Sequence, residues 1–292
     1  MFALVILCTI MFLTSFGIGV IPLYMQLSEK SIERLSITGT GVLIASALAI
    51  VIPEGCEAVL VHDSHSQTST TLAHSEENLK RYIGAAIVIG FVVMLCIEQS
   101  TSKIITQHAT VSYIAVDSLH ELRDRYTDEE TGHENNTQQG SSSKSAIAST
   151  LGLCIHSLAD GVALGSSAHS KTSLSIVIFF AILVHKGPAA FGLTSILLSK
   201  RLSRKYVQLH LLAFSVATPI GAIITYLCIL MFNAVETSST GTGLLLAFSG
   251  GTFLYVAVSH APHGHLEMTK FICLLGGLAI PTLVSILSSH DH

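Results

Sequence analysis

His156 and Asp160 stand one helical turn apart inside the apolar run Ala146 to Ala168, and His185 stands midway along the next run, Leu174 to Ser199. At a spacing of four, an imidazole and a carboxylate project from one face of a helix, so a single turn can present both to one ion. Two imidazoles and a carboxylate suit zinc or a similar divalent first-row ion and leave a coordination position open. Calcium and magnesium would want more oxygens. An aspartate or lysine at the centre of a membrane helix opposes insertion by roughly 2.5–3.5 kcal/mol, so Asp160 and the neighbouring Lys186 must be paired or coordinated there. The competing reading is a buried His–Asp hydrogen bond that only locks helix packing.

The elements that must hold these residues are membrane helices. Half of the 292 residues are hydrophobic and 12% are charged, about half the charge of a usual soluble domain. Eight runs are long and apolar enough to cross roughly 30 Å of hydrocarbon: Phe2 to Tyr24, Leu35 to Leu60, Tyr82 to Gln99, Ala146 to Ala168, Leu174 to Ser199, Tyr206 to Phe232, Gly243 to His260 and Phe271 to Ser289. The first lacks a basic start and is too apolar for too long to read as a signal peptide, so a retained helix is expected. The fold class predicted is all-α, a polytopic membrane protein with eight transmembrane helices. Small residues such as Gly39, Gly41, Gly84, Gly250, Gly251, Gly276 and Gly277 are expected to let helices approach closely.

Orientation follows from the basic residues. Eleven lie in the loops after odd-numbered spans: Lys30, Arg34, Lys103, Arg123, Arg125, Lys144, Lys200, Arg201, Arg204, Lys205 and Lys270. Three, Lys80, Arg81 and Lys171, lie after even-numbered spans. Both termini are therefore expected to face the lumen or exterior. The chain divides into residues 1–99, with spans one to three and a lumenal His-containing loop at 61–81; residues 100–145, a polar cytosolic loop; and residues 146–292, with spans four to eight. The middle segment is too polar to bury a core, and disorder is expected. Asn135-Asn136-Thr137 matches a glycosylation acceptor but falls on the cytosolic side.

Several classes are excluded. No GxxxxGK[ST] phosphate loop occurs and no loop could house a nucleotide-binding domain, which argues against an ATP-driven pump. A net charge of −4, with the basic residues spread over loops, gives no sign of nucleic-acid binding. The six cysteines lie in or beside apolar runs without paired metal spacing and are expected to be free.

Two of the six prolines add backbone oxygens near these residues. Pro188, three residues after His185, frees the Val184 carbonyl, and Pro53 frees that of Ala49 beside Glu54. With His156, Asp160 and His185 all near the middle of their runs, the set falls near the bilayer midplane, where transporter sites are commonly built.

At this point the sequence resembles the ZIP (Zrt/Irt-like protein) family of divalent-metal transporters. HSLADG, from His156, is similar to that family's fourth-span signature His-Asn-x-x-Asp/Glu-Gly, and HKGPAA, from His185, to its fifth-span His-Glu-x-Pro-His-Glu. Pro53-Glu54-Gly55 and the eight-span layout with both ends outside agree. The resemblance implies a ZIP-like helical bundle, zinc or a like divalent ion as cargo rather than cofactor, and movement from lumen or exterior into the cytosol. It also implies a Golgi or plasma membrane location. The family's two-metal site uses positions that are Ser157 and Lys186 here, and a second cation does not sit easily beside an ammonium. The expectation is a single-ion site of His156, Asp160 and His185, with Lys186 standing in for the second charge.

Five further residues are candidates for auxiliary or pathway roles: Glu54, Ser157, Lys186, His210 and His260. Glu54 could be a ligand on the way in or out, the partner of Lys186, or a carboxylate reaching water. Ser157 could be a weak ligand or a hydroxyl satisfied by its own backbone. His210 and His260 could line a path or simply pack. His62, His65 and His74 with Asp63, and His290 with His292, could collect metal weakly or be solvated polar residues. His108, His120 and His133 are too scattered for a cytosolic sensor.

The reading is a zinc transporter that needs no cofactor. Its partners would be the ion and the lipid bilayer, with a homodimer as a further candidate assembly. Two other classes stay open: an intramembrane zinc hydrolase with Glu54 as general base, although no HExxH arrangement occurs, and a metal-gated membrane receptor.

Overall fold

Pro53 cannot donate a backbone hydrogen bond to Ala49, and the helix around it answers by changing register. In the computed structural model, which describes residues 2–25, 28–63, 79–100, 135–168, 172–232, 239–262, 265 and 267–288, the second span has three parts. Helix α2 (Glu29–Ser46) passes into a π-helical turn (Ala47–Val51) and on into α3 (Ile52–Asp63). Wide turns of this kind absorb one extra residue and leave a backbone group to be satisfied from outside. Here the Ala49 carbonyl accepts from the Ser285 hydroxyl of the last helix at 2.7 Å. The span begins earlier than its apolar run because Ser28 caps it, its hydroxyl accepting from the Ser31 N–H at 3.4 Å.

The other spans are single helices: α1 (Phe2–Tyr24), α4 (Leu79–Ser100), α5 (Asn135–Ser167), α6 (Thr172–Ser199), α7 (Arg204–Phe232), α8 (Ser239–Ser259) and α9 (Met268–Ser288). Among the described residues, eight helical stretches are long and apolar enough to cross a membrane. Helix α5 extends N-terminally past its apolar run to Asn135, within the polar segment for which disorder was expected; residues 101–134 of that segment lie outside the described residues. So do His65, His74, His108, His120, His133, His290 and His292.

Burial is arranged as a bilayer demands, with polar groups turned inward and apolar ones outward. His156, Ser157, Asp160, His185, Lys186, Thr218 and Ser249 are fully buried, whereas Leu13, Val88, Phe180, Leu209, Ile224 and Leu283 are exposed. Helix α6 is the most enclosed and α4 and α9 the least. Where backbones meet, small residues permit it: a Cβ on Gly161 of α5 would stand 2.9 Å from the Ala222 nitrogen of α7, and one on Gly39 of α2 would stand 3.2 Å from the Gly192 Cα of α6. Gly41, Gly250, Gly251 and Gly277 are similarly hemmed in, but Gly84 and Gly276 face open space.

Candidate metal site

The four-residue spacing on α5 and the central position of His185 on α6 bring His156, Asp160 and His185 together. Their three ligand atoms lie within 4.8 Å of one another, all buried. Asp160 Oδ2 is 3.3 Å from His156 Nε2 and 3.2 Å from His185 Nε2. Ligands at about 2.0–2.1 Å from a tetrahedral zinc ion stand about 3.3–3.4 Å apart, so this carboxylate oxygen and each imidazole are already at the separation an ion would impose.

The hydrogen-bond partners assign the protons. His185 Nδ1 lies 2.8 Å from the Ala181 carbonyl, one turn back on its own helix. A carbonyl only accepts, so Nδ1 carries a hydrogen; Nε2, 3.2 Å from Asp160 Oδ2, donates to that carboxylate when the ring is an imidazolium and presents a lone pair when it is neutral. His156 Nδ1 lies 2.6 Å from the Ser249 hydroxyl and 3.2 Å from the Ser249 carbonyl. Ser249 in turn donates its hydroxyl hydrogen to Asp160 Oδ1 at 2.7 Å. His156 Nδ1 is therefore also the donor, and its buried Nε2 has no hydrogen-bond partner among the described residues. Phe253 stacks on the His156 ring with centroids 4.5 Å apart, which fixes the ring plane. Two imidazole nitrogens, one of them without a hydrogen-bond partner among the described residues, and a carboxylate oxygen thus converge in an interior where unpaired polar atoms are costly.

Ser249 is the residue of this cluster that motif reading misses. A lone serine in the run LLLAFSGGTF carries no spacing signal of its own. Only the packing of α8 against α5 shows that one hydroxyl orients two of the three candidate ligands, as outer-shell groups do in metal sites.

Lys186 is fully buried beside the triad, and its hydrogen bonds direct the ammonium to hydroxyls. It donates to the Ser157 hydroxyl at 2.7 Å and to the Thr218 hydroxyl, and it sits 4.5 Å from the centre of the Phe214 ring. Thr218 passes its own hydrogen to the Ser157 carbonyl at 2.8 Å. The Ser157 hydroxyl is therefore an acceptor for Lys186 and belongs to a clamp joining α5, α6 and α7. Glu54 is half-buried in the first turn of α3 and outside the cluster of ligand atoms. His210 is half-buried near the start of α7, also apart from it.

His260 joins a different group. Its Nε2 is 2.7 Å from the Ser149 hydroxyl and 3.3 Å from the Lys200 ammonium, and its Nδ1 is 2.8 Å from the Val256 carbonyl. Burial pushes Lys200 down to about 8, opposed by the nearby Glu98 carboxylate.

Comparison with known proteins follows the same residues. The family model described as ZIP Zinc transporter matches residues 2–285. Zinc transporter ZIP9-A of Xenopus laevis is 33% identical over 94% of this chain and 93% of its own length. Zinc transporter ZIP9 of Micropogonias undulatus is 32% identical over the same shares, and that of Macaca fascicularis is 39% identical over 49% of this chain and 67% of its own length. All three relatives carry the name zinc transporter. With nearly every residue from the first span to the last matched, the chain belongs to the ZIP zinc transporter family, a multi-pass membrane family of transporters and not of enzymes.

Proposed function

We propose that this chain carries zinc, or a like divalent cation, from the lumen or exterior into the cytosol through His156, Asp160 and His185. The observation that carries the reading is the convergence of three ligand atoms, each oriented by a hydrogen bond on its far side, with His156 Nε2 buried and without a hydrogen-bond partner among the described residues although Asp160 Oδ2 is 3.3 Å away. A packing lock is complete with the His185–Asp160 contact alone and leaves His156 Nε2 unused; a cation engages all three atoms. Lys186 beside the triad supports one ion rather than two, because its ammonium fills the space between Ser157 and Thr218. The names of the relatives support zinc as cargo.

The direction rests on the family resemblance, and so does a Golgi or plasma membrane location. The lumenal placement of both termini rests on the asymmetry of the basic residues. Zinc flux into proteoliposomes containing only this protein tests transport itself: saturable uptake supports it, and its absence leaves a metal-gated receptor. An epitope inserted after Gly132 tests orientation. Antibody should reach it only after the cytosolic side is opened, and labelling of intact cells that carry the protein at the surface would invert the assignment.

A further inference from the structure

The triad and the Ser149–His260 group lie on one seam between two helices. On α5, Ser149, Leu153, His156 and Asp160 follow the spacing i, i+4, i+7, i+11, and on α8 Ser249, Phe253, Val256 and His260 do the same. Residues so spaced share a helix face. The two faces meet, because Ser249 bonds His156 and Asp160 at one end and Ser149 bonds His260 at the other. Ser149 precedes His156 by two turns, about 10 Å along the helix, toward the end of the bundle where α6 stops.

That end holds a cavity of about 240 Å³ lined by Glu98, Ser149, Lys200, Tyr255 and His260, with Met94 and Val256 as apolar walls. Its polar groups are the kinds that bind a divalent cation. His260 donates Nδ1–H to the carbonyl four residues back, as His185 does, and so presents Nε2 as an acceptor. The Ser149 hydroxyl is beside it, and the Glu98 carboxylate accepts from the Tyr255 hydroxyl. Lys200 stands one residue before Arg201, whose left-handed backbone (φ 58°) ends α6, and its ammonium turns back into the cavity, 3.1 Å from Ser149 Oγ and 3.3 Å from His260 Nε2.

We infer that the Lys200 ammonium occupies a second cation site, built from His260, Ser149 and Glu98 at the cytosolic mouth, as a tethered competitor that a zinc ion leaving the triad must displace. This rests on the transport reading above for its direction, but the occupancy does not. A helix-end lysine that merely snorkels would turn its head to water; this one is set among an imidazole, a hydroxyl and a carboxylate. The lysine would act as a gate set by charge, slowing release and excluding monovalent ions that cannot outcompete an ammonium.

Equilibrium dialysis of the full-length protein in lipid nanodiscs with zinc chloride tests it. The wild type should hold one zinc ion and Lys200→Met two, and Lys200→Met with His260→Ala should return to one. Lys200→Arg, which keeps the charge, should stay at one. Should Lys200→Met fail to fold, as judged by size exclusion, Lys200→Gln takes its place with the same expectation. One ion in both neutral variants overturns the proposal, and so does a second ion that survives His260→Ala. Lys200→Met with Asp160→Ala separates the two sites: one ion, lost on adding His260→Ala, places it at the mouth, whereas two ions would overturn the triad and not the mouth. In proteoliposomes Lys200→Met should raise the initial zinc flux several-fold, and an unchanged rate would overturn the gating role.

Discussion

His185 and His260 are held in the same way and left in opposite states. Each donates Nδ1–H to the carbonyl four residues back, at 2.8 Å in both cases, and each presents Nε2 inward. At His185 that nitrogen meets a carboxylate oxygen, and His156 Nε2, unpartnered among the described residues, stands close by. At His260 it meets a hydroxyl and an ammonium. The same preparation of an imidazole thus yields a place that calls for a cation and a place already holding one. A histidine's chemistry is set less by its own position than by whether its lone pair is matched by a donor.

The largest effect should come from removing the acceptors of the first place. Asp160→Ala and His185→Ala should each reduce saturable zinc flux to the level of empty vesicles while the protein still reaches the membrane, because deleting a buried charge does not penalise insertion. Normal flux in Asp160→Ala would erase the distinction between the two regions. Ser249→Ala probes how the acceptors are prepared: losing the hydroxyl frees both His156 and Asp160, and zinc affinity measured by titration calorimetry should fall about 10- to 100-fold with stoichiometry unchanged. An unaltered affinity would mean that Phe253 alone orients the ring.

Lys186 sharpens the contrast from the other side, since it is a second ammonium among hydroxyls, next to the triad rather than capping it. Lys186→Met keeps most of the volume and removes a like charge from the neighbourhood of the ion. Zinc binding should tighten several-fold, of the order of 1 kcal/mol. Lys186→Glu should go further and raise bound zinc from one ion toward two. If neither variant changes binding, Lys186 serves only to join three helices. The smallest effect concerns a contact remote from both sites: Ser285→Ala should lower stability by about 0.6 kcal/mol, the mean for such bonds within membranes, without altering zinc stoichiometry.

The spans were legible because length and the scarcity of charge decide them, and the resemblance was legible because HSLADG and HKGPAA survive as strings. The triad was legible because four-residue spacing on one helix needs no knowledge of packing. What escaped depends on which helix neighbours which. Ser249 and Thr218 are hydroxyls of ordinary appearance until α8 and α7 are set against α5. Lys186 invites pairing with a carboxylate, yet its hydrogen bonds to Ser157 and Thr218 come from the α5–α6–α7 packing. Lys200 counted as one more basic loop residue, because only the turn at Arg201 sends its head back among α5 and α8.

The π-helical turn bears on how the chain is made. Until α9 emerges, the Ala49 carbonyl lacks its Ser285 partner and Gly41 lacks the backbone of α9 that it packs on. The lost bond is worth as much as in Ser285→Ala, about 0.6 kcal/mol, and the uncovered Gly41 face forfeits its packing as well. The second span is thus left incomplete through most of synthesis, and the last span to be translated seals it. A chain cut short before α9 would expose a polar group to lipid in the same span that carries Glu54, which gives quality control in the membrane a physical mark by which to recognise an unfinished molecule.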